Sequence, residues 1–443
     1  MDYAAYQPLP LDNVTAETIS SDDYRRFIFA SAIEPGVRLL LHRHRRRSDW
    51  PYVDTKFNPN TGADLGEAAY GVVYTWFLGR GTEALSEHLA WLDELDGLSS
   101  QERTEARQLL RRLVANMGQA MLKVLELNDG RCPFRVDLQM RGVDERGKPV
   151  KMDPSITSGA DIFVGKGLIA EGSAPVVRRG LSVLQRSAEC IRRNRYRVDQ
   201  FAAQPKDIGH GPKMLIQGAA ALACRRTKDL AIQAAALNLS AEFMTSILDL
   251  HYDLASGLFS EYIDALTGQR KSYLDPGHAN EFVGLGLAAV EAMRTHPDAA
   301  GSGKSWLIER ACRELPRLLI VSTQRGFNPK YPGLFKAVDT ATGGVIIDDM
   351  PWWNLPETMR AAVRAYEVTS DGPARQQCLR IFRDCHNAYF SQYPNRANML
   401  FPYQTISGTT GQVVDRVPAV PEGDPLYHAN LSFLDMLEVA QRL

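Results

Sequence analysis

Residues 257–281 of the chain read GLFSEYIDALTGQRKSYLDPGHANE, and residues 333–357 repeat the pattern as GLFKAVDTATGGVIIDDMPWWNLPE. Each copy begins with Gly-Leu-Phe, passes through a Thr-Gly pair and ends in Glu after 24 residues. The copies begin 76 residues apart, which predicts a recurring unit of helix, hairpin and helix. At that period the 443 residues hold about six units.

Helical periodicity dominates the remainder of the chain. Apolar residues recur at three- and four-residue spacing in residues 65–95, 101–127, 160–171, 177–193, 212–250, 280–294, 304–323, 356–367 and 373–392. Strands and helices do not alternate along the sequence, so a parallel sheet is not predicted. We therefore predict an all-α protein, an (α/α)6 barrel whose six helix pairs close into a ring with short β-hairpins at one end. No long linker divides the chain, so residues 1–443 are predicted to form a single catalytic domain.

Composition argues against several classes of function. The chain has 51 Lys and Arg against 52 Asp and Glu, so its net charge of -1 gives no reason to expect nucleic acid or an anionic membrane as a partner. The six cysteines lack the short spacings of a metal site or a disulfide framework, which is typical of a reduced compartment. The N-terminus lacks signal-peptide features, and no apolar run approaches about 18 residues. A cytoplasmic protein is predicted.

The first copy of the repeat ends in a candidate acid/base pair. Pro276-Gly277 interrupts one segment and an apolar run begins at Phe282, so His278 is predicted in the first turn of a helix. Glu281 lies three residues on, on nearly the same helical face. Because the positive end of the helix dipole disfavours imidazolium, we expect a neutral His278 that can act as a base near pH 7. A capping arrangement without chemistry is the alternative explanation.

The second copy adds aromatic rings beside its glutamate. Trp352 and Trp353 precede Glu357, and Trp353 is four residues from it, on the same face if the helix begins there. Aromatic faces near carboxylates suit polyols, because the rings cover the C–H side of a sugar while acids and guanidinium groups bond its hydroxyls. Core packing of the paired Trp is the alternative, and the match with the repeat favours a sugar site.

Four stretches lie in the order of the motifs of a known family. Pro276-Gly-His278-Ala-Asn-Glu281 resembles the signature PGHxxE, and Trp352-Trp353-Asn-Leu-Pro-Glu357 resembles the segment WWxxxE. Trp76-Phe-Leu-Gly-Arg80 resembles the helix motif W-x-Q-G-R, and Tyr427-His428 resembles an aromatic-His pair that supplies a second catalytic His. By these four motifs the chain resembles the N-acylglucosamine 2-epimerase superfamily, which includes cellobiose 2-epimerases and aldose–ketose isomerases.

The resemblance implies an isomerase on an (α/α)6 barrel, acting on the carbon next to a sugar carbonyl by 2-epimerisation or aldose–ketose isomerisation. It implies that His278 and His428 are the catalytic imidazoles. Arg80 would stabilise the enediolate oxygen, and Glu281 would bond or orient the substrate. The other implied pocket residues are Trp76, Trp353 and Glu357. The implied partner is a small-molecule sugar, no metal or other cofactor is implied, and relatives are often homodimers.

The chain departs from the family at several positions. Where members often have a His and a Glu in a helix like NPNMHxxEA, the best match here, GPKMLIQGA, has Leu215 and Gly218. The Gln of W-x-Q-G-R is Leu78, and an Arg often found three residues after the second His is Leu431. His210, just upstream, is the candidate to replace the missing substrate-binding His, and a loop histidine without a role is the alternative. These departures leave the identity of the sugar open.

Two other functions are alternatives. A glycoside hydrolase or unsaturated-uronyl hydrolase on the same fold would use a carboxylate pair. For that pair the chain offers Glu281, Glu357, Asp348 and Asp349. The other alternative is a sugar-binding protein that kept the pocket and lost catalysis. The absence of the family's His and Glu, at Leu215 and Gly218, favours this alternative.

Overall fold

The computed structural model describes residues 3–198, 206–297, 303–416 and 420–443, and most of these are helical. In chain order its α-helices are α1 (Ala16–Ser20), α2 (Asp22–Ile28), α3 (Glu34–Arg46), α4 (Thr75–Trp91), α5 (Ser100–Leu127), α6 (Gly159–Glu171), α7 (Ala174–Arg192), α8 (Gly211–Arg226), α9 (Leu230–Leu250), α10 (Pro276–Thr295), α11 (Ser305–Gly326), α12 (Asn354–Val368), α13 (Gly372–Gln392) and α14 (Ser432–Ala440). A π-helical turn, Phe29–Ile33, joins α2 to α3, and another, Tyr427–Leu431, leads into α14. Within the described ranges, no helix combines the length and the apolar character needed to cross a bilayer.

Alternate helices from α4 onward form a closed inner ring. The helices α4, α6, α8, α10, α12 and α14 pack side by side in this order, and α14 returns to α4. The intervening helices α5, α7, α9, α11 and α13 each pack outside the inner helix that precedes them. The N-terminal helices close the outer layer, because α1 contacts α14 and α3 contacts α5. The predicted (α/α)6 barrel is therefore confirmed.

The two layers differ in how their sequences distribute apolar residues. The inner helix α6 is buried continuously from Gly159 to Ala170, and its two charged side chains, Asp161 and Lys166, have buried polar partners. The outer helix α7 buries one stripe, from Val177 to Ile191 at helical spacing, and exposes charged residues between. A helix with one apolar stripe fits the outside of the ring, and a mostly apolar helix fits the inside.

Short strands occupy the connections that lead from outer to inner helices. They are β1 (Val73–Tyr74), β2 (Arg135–Val136), β3 (Thr157–Ser158), β4 (Tyr196–Arg197), β5 (Asp207–Gly209), β6 (Tyr262–Asp264), β7 (Phe327–Asn328), β8 (Gly333–Leu334), β9 (Ala337–Val338), β10 (Val345–Ile347), β11 (Asp349–Pro351) and β12 (Thr405–Ser407). The connections from inner to outer helices are shorter and carry no strand among the described residues. All the described strands therefore lie at the end of the barrel where the inner helices begin.

The predicted hairpins are present, and most of the strands also pair across a whole helix pair. β7–β8 and β9–β10 are hairpins, and the antiparallel bridges Val143–Pro149 and Ile263–Arg270 close two more, whereas β1–β2, β3–β4, β5–β6 and β11–β12 pair strands on either side of a helix pair. The β3–β4 pair is parallel. A helix pair starts and ends at the same end of the barrel, so the segment that enters it lies beside the segment that leaves it.

The repeat has the predicted organisation, and the helix boundaries need two corrections. In the two copies α9 and α11 lead through strands to α10 and α12, which carry Glu281 and Glu357 near their first turns. The helix predicted at residues 65–95 begins only at Thr75, and Gly66 upstream has a φ of 81°, outside helical geometry. The helix predicted at residues 212–250 is two helices, because Asp229 caps the start of α9.

Two glycines allow the inner helices to approach closely beside the cavity. A Cβ atom on Gly79 would overlap the carbonyl oxygen of Phe163, so α4 and α6 can meet at this distance only with glycine there. A Cβ atom on Gly277 would likewise overlap Oδ1 of Asn354, where α10 meets α12. Each glycine directly precedes a candidate site residue, Arg80 or His278, and helps to fix its position.

Candidate active site

A cavity of about 510 Å³ opens at the end of the barrel where the inner helices begin. Its wall includes Arg80 from α4, Phe163 from α6, Lys213 from α8 and His278 from α10, all from the first two turns of their helices. The positive ends of these helix dipoles therefore converge on the cavity and favour negative charge there. A transient anion on a bound molecule would be stabilised in such a field.

His278 is held by two carboxylates. Its Nδ1 lies 3.2 Å from Oε1 of Glu261 and 3.2 Å from Oδ2 of Asp275. Carboxylate oxygens only accept hydrogen bonds, so Nδ1 carries the hydrogen and Nε2 is the nitrogen left for a ligand. Burial lowers the pKa of His278, but the carboxylates of Asp275 and Glu261 raise it by more, so the net shift is upward. This upward shift runs against the lowered pKa that the helix dipole predicts for His278, and its cause is the pair of carboxylates.

His428 is held in the same way but carries the opposite pKa shift. Its Nδ1 lies 3.1 Å from Oε1 of Glu357, which also accepts a 2.8 Å hydrogen bond from Ser432 Oγ. Burial raises the pKa of Glu357, but Arg360, which donates to Oε2, and His428 lower it by more, so Glu357 is ionised. Burial, followed by the charge of Arg80, lowers the pKa of His428 to about 4. A neutral His428 with a free Nε2 is equipped to accept a proton.

The indole of Trp353 contacts both imidazoles. Its ring centroid lies 5.4 Å from that of His278 and 5.2 Å from that of His428, with an interplanar angle of 33° in each case. Trp353 also lies 5.3 Å below the ammonium of Lys336 and lines the cavity. The tryptophan predicted to cover a sugar face therefore also fixes the positions of both candidate catalytic rings.

Glu281 belongs to the His428 side of the site. Its carboxyl oxygen, an oxygen of Glu357 and a ring nitrogen of His428 all lie within 4.8 Å of one another. Burial and the neighbouring charge of Glu357 raise the pKa of Glu281 to about 7. Glu281 therefore lies with Glu357 and His428, while Nδ1 of His278 faces Glu261 and Asp275, and the charge of His278 still lowers the pKa of Glu281.

Arg80 is surrounded by aromatic rings. Its guanidinium carbon lies 4.6 Å from the ring centroid of Trp76, 4.3 Å from that of Phe163 and 5.0 Å from that of Tyr427. Its Nε is buried and has no hydrogen-bond partner among the described residues. Asp424 also lines the cavity, and burial raises its pKa to about 6 although the guanidinium of Arg80 lowers it. Rings hold Arg80 in place while its N–H groups stay available to a ligand.

Two residues predicted to bind the substrate lie behind the cavity wall. Glu357 is 2% exposed and does not line the cavity, because its oxygens are taken up by His428, Ser432 and Arg360. His210 is fully buried, with Nδ1 3.0 Å from Oε2 of Glu261 but out of line for a hydrogen bond. Both therefore support the histidines of the wall rather than line it. The remaining predicted site residues line the cavity: Trp76, Arg80, His278, Glu281, Trp353 and His428.

Four further polar residues join the site although the sequence did not single them out. Asp275 and Glu261 orient His278, while Lys213 and Asp424 line the cavity. The sequence does indicate a role for Asp275, since an Asp before Pro-Gly at a helix start is a typical N-cap. In the structure its side chain accepts a hydrogen bond from the backbone N–H of His278. Glu261 lies in the first repeat copy, just before β6 in the connection that leads into α10, and its backbone N–H donates to the carbonyl of Tyr273, which brings it beside the start of that helix.

Two sets of side chains could hold a metal ion. Glu261, Asp275 and His278 form one, and Glu281, Glu357 and His428 form the other, each with ligand atoms within 4.8 Å of one another. In both sets the imidazole nitrogen nearest the carboxylates is the hydrogen-bonded Nδ1. A metal ion would have to displace that proton before the histidine could become a ligand.

The barrel is similar to those of solved sugar isomerases and epimerases. D-mannose isomerase superposes with a TM-score of 0.62 and 14% identity over 91% of this chain and 97% of its own. Cellobiose 2-epimerase from Bacillus thermoamylovorans superposes with a TM-score of 0.60 and 14% identity over 90% of this chain and 98% of its own. An unsaturated glucuronyl hydrolase mutant from Streptococcus agalactiae reaches a TM-score of 0.50 at 11% identity over 98% of each chain.

No protein-family model and no curated protein sequence matches the chain. The similarity is therefore one of fold, and the fold is that of (α/α)6-barrel enzymes.

Proposed function

We propose that this chain is a sugar isomerase of the N-acylglucosamine 2-epimerase type, which moves a proton next to the carbonyl of a reducing sugar. One observation carries the proposal. Two imidazoles, His278 and His428, line one cavity, each has Nδ1 against a buried carboxylate, and both contact the indole of Trp353. A pair of oriented histidines beside an aromatic face suits proton transfer to and from a sugar carbon. The solved isomerase and epimerase with the same fold support this choice.

The opposite pKa shifts of the two histidines suggest their roles. His428, with a pKa lowered to about 4, is the base, and its Nε2 takes the proton from C2 of the sugar. The electron pair of the C2–H bond becomes the C1–C2 double bond, and the carbonyl electrons move onto the oxygen at C1. His278, whose pKa is raised, is the proton donor, and Arg80 stabilises the negative oxygen of the enediolate. A protonated Glu281 donates a hydrogen bond to a sugar oxygen.

The fate of the proton separates the two outcomes. If His278 returns a proton to C2 from the other side, C2 is inverted and His428 keeps the proton it took. If the proton goes to C1 while the hydrogen of the C2 hydroxyl passes to the oxygen at C1, the product is a ketose. Both routes need only protons, so we propose that the reaction requires no metal or redox cofactor and that activity survives a chelator.

The test is deuterium uptake. Wild-type protein is incubated in D2O with a panel of reducing sugars, and NMR follows the hydrogens on C1 and C2. We expect deuterium at C2 or C1 of one substrate, accompanied by its 2-epimer or its ketose. His278→Asn and His428→Asn should each abolish product formation. A panel that binds the protein but never gains deuterium would mean a sugar-binding protein without catalysis.

A hydrolase is the second candidate, because Glu281 and Asp424 both line the cavity with raised pKa values of about 7 and 6. The other carboxylates considered from the sequence are engaged elsewhere. Asp348 accepts a 2.7 Å hydrogen bond from Thr409, and Asp349 pairs with Arg416. A hydrolase would cleave glycosides with His278→Asn still active and Glu281→Gln inactive, which is the reverse of the pattern expected for the isomerase.

A further inference from the structure

Lys213 is a buried ammonium in the wall of the cavity. It is the third residue of α8, its side chain is 5% exposed, and it belongs to the cavity lining. Its Nζ lies 3.5 Å from Nε2 of His251, whose Nδ1 lies 2.9 Å from the carbonyl oxygen of Ser260. The carbonyl fixes the hydrogen on Nδ1, so His251 is a neutral acceptor and brings no negative charge to Lys213.

Several other charged groups of the wall have ionic partners, whereas Lys213 has none among the described residues. Lys336 pairs with Asp275, Asp207 with Lys271 at 2.7 Å, and Glu422 with Lys56 at 2.7 Å. No carboxylate in the described parts of the chain forms a salt bridge with Lys213. Consistent with this, burial alone lowers the pKa of Lys213, to about 8. A buried charge without a counter-ion is costly, so a group that arrives from the cavity is needed to balance it.

The backbone beside Lys213 favours the same kind of partner. His210, at the N-terminus of α8, makes no side-chain hydrogen bond that caps the helix. Gly209 and Gly211 line the cavity on either side of this terminus, so a ligand can reach the N–H of Gly211, the first of the helix; Pro212 has no N–H, and the N–H of Lys213 donates to the carbonyl of His210. The positive end of the α8 dipole and the ammonium of Lys213 therefore face one region of the cavity.

The remainder of α8 gives a ligand little else to bond. Leu215 lines the cavity with an apolar side chain, and one turn further Leu285 packs against Gly218 so closely that a larger side chain at 218 would collide with it. The polar contribution of α8 to the cavity is thus a single cation. In the inner ring α8 lies across from α14, next to His428, so this cation faces the base from the opposite wall.

We propose that the substrate carries an oxyanion, such as a carboxylate, phosphate or sulfate group, which binds Lys213 and the N-terminus of α8. This inference rests on the proposed function, and the substrate it defines is an acidic sugar rather than a neutral one. The carbon that loses its proton lies toward His428, and the anionic group lies at the other end of the sugar. Carboxylate, phosphate and sulfate share the chemistry that recognises Lys213, and the test distinguishes them.

Binding is measured with compounds that cannot react. 1,5-Anhydrohexitols lack the anomeric hydroxyl and cannot open to a carbonyl, so calorimetry gives their affinity without turnover. The panel compares the gluco and manno compounds with their 6-phosphates, their 6-sulfates and the analogues that carry a carboxylate at C6. We expect at least one anionic form to bind about tenfold or more tightly than its neutral parent. Lys213→Met should remove that difference, Lys213→Arg should retain part of it, and Lys148→Met, on an exposed loop, should leave it unchanged.

Two results would overturn the inference: equal affinity for neutral and anionic compounds in the wild type, or equal weakening of both by Lys213→Met. If Lys213→Met fails to fold, the comparison within the wild type decides. Deuterium uptake by the matching reducing sugars separates this inference from the proposed function. Uptake by neutral sugars without an anionic preference refutes only the anionic substrate. An anionic preference that depends on Lys213, with no uptake by any sugar, refutes only the isomerase.

Discussion

The indole of Trp353 lies 5.4 Å from the ring of His278 and 5.2 Å from the ring of His428, at the same angle of 33° to each. One buried side chain thus sets the positions of two histidines that are 150 residues apart in the chain. Both rings have Nδ1 against a carboxylate, so their freedom to rotate is limited from two directions.

Trp353→Ala should lower kcat/KM by about 100-fold, because both imidazoles lose the surface that holds them and a misplacement of about 1 Å can cost that much. Steady-state kinetics on the substrate found by deuterium uptake measures the loss. Trp306→Ala is the matched control, since Trp306 is 53% exposed on the outer helix α11. Unchanged kinetics in Trp353→Ala would show that the two carboxylates suffice to orient the rings.

Glu357→Gln should lower kcat by about 10³-fold or more with little change in KM. The amide no longer holds the hydrogen on Nδ1 of His428, so the ring can adopt the tautomer that cannot accept a proton on Nε2. KM should change little because Glu357 does not line the cavity. Glu367→Gln on the same helix is the control. A large rise in KM with kcat preserved would place Glu357 on the substrate instead.

Glu261→Gln should move the alkaline limb of the kcat/KM profile to lower pH. His278 must be protonated to donate, so activity falls as pH rises through its pKa, and Glu261 is one of the carboxylates that raise this pKa. The acid limb, which belongs to His428, should stay in place. Glu145→Gln in an exposed turn serves as the control. A shift of the acid limb alone would assign the role of base to His278.

Glu281→Gln should become more stable relative to the wild type as pH rises. The pKa of Glu281 is raised to about 7 in the folded state, so the folded protein binds a proton that the unfolded chain releases above its ordinary pKa. The wild type therefore loses stability between about pH 4.5 and 7, at about 1.4 kcal/mol per pH unit for one proton. Urea unfolding across this range measures the difference. A difference that is independent of pH would contradict a buried neutral Glu281.

His386→Phe should reduce the acid sensitivity of the fold. His386 is fully buried between the hydroxyl of Tyr24 and the carbonyl of Leu9, and burial lowers its pKa to about 4. The unfolded chain binds the proton first, so the wild type loses stability as pH falls from about 6.5 to 4. The variant should lack about 1.4 kcal/mol per pH unit of that slope. His42→Phe at an exposed position should keep the wild-type slope.

Much of the fold follows from local properties of the chain. The repeat at 76 residues and the spacing of apolar residues predict paired helices, because helix formation and burial of a stripe depend on near neighbours in sequence. The strand pairing does not follow, since β3 and β4 are separated by the whole of α6 and α7. Which loops lie side by side is known only once the ring has closed.

The site, like the fold, follows partly from the sequence and partly from the tertiary structure. Residue types and spacings identify His278, Glu281 and Trp353 as candidates, the resemblance to the 2-epimerase motifs adds Arg80 and His428, and the ring brings all five to one cavity. Of their carboxylate partners, Asp275 is local in sequence, whereas Glu261 and Glu357 reach the histidines only in the folded chain.

The sequence by itself determined the helical repeat and the candidate groups, and the tertiary structure decided how those groups are charged and paired. Glu281 is three residues from His278 in the chain, yet it lies with Glu357 and His428, while His278 is bonded by Glu261, which stands 17 residues earlier in the loop that leads into α10. The physical reason is range. Helix formation responds to residues within a few positions of each other, whereas a pKa responds to every charge within a few ångströms, whatever its place in the sequence.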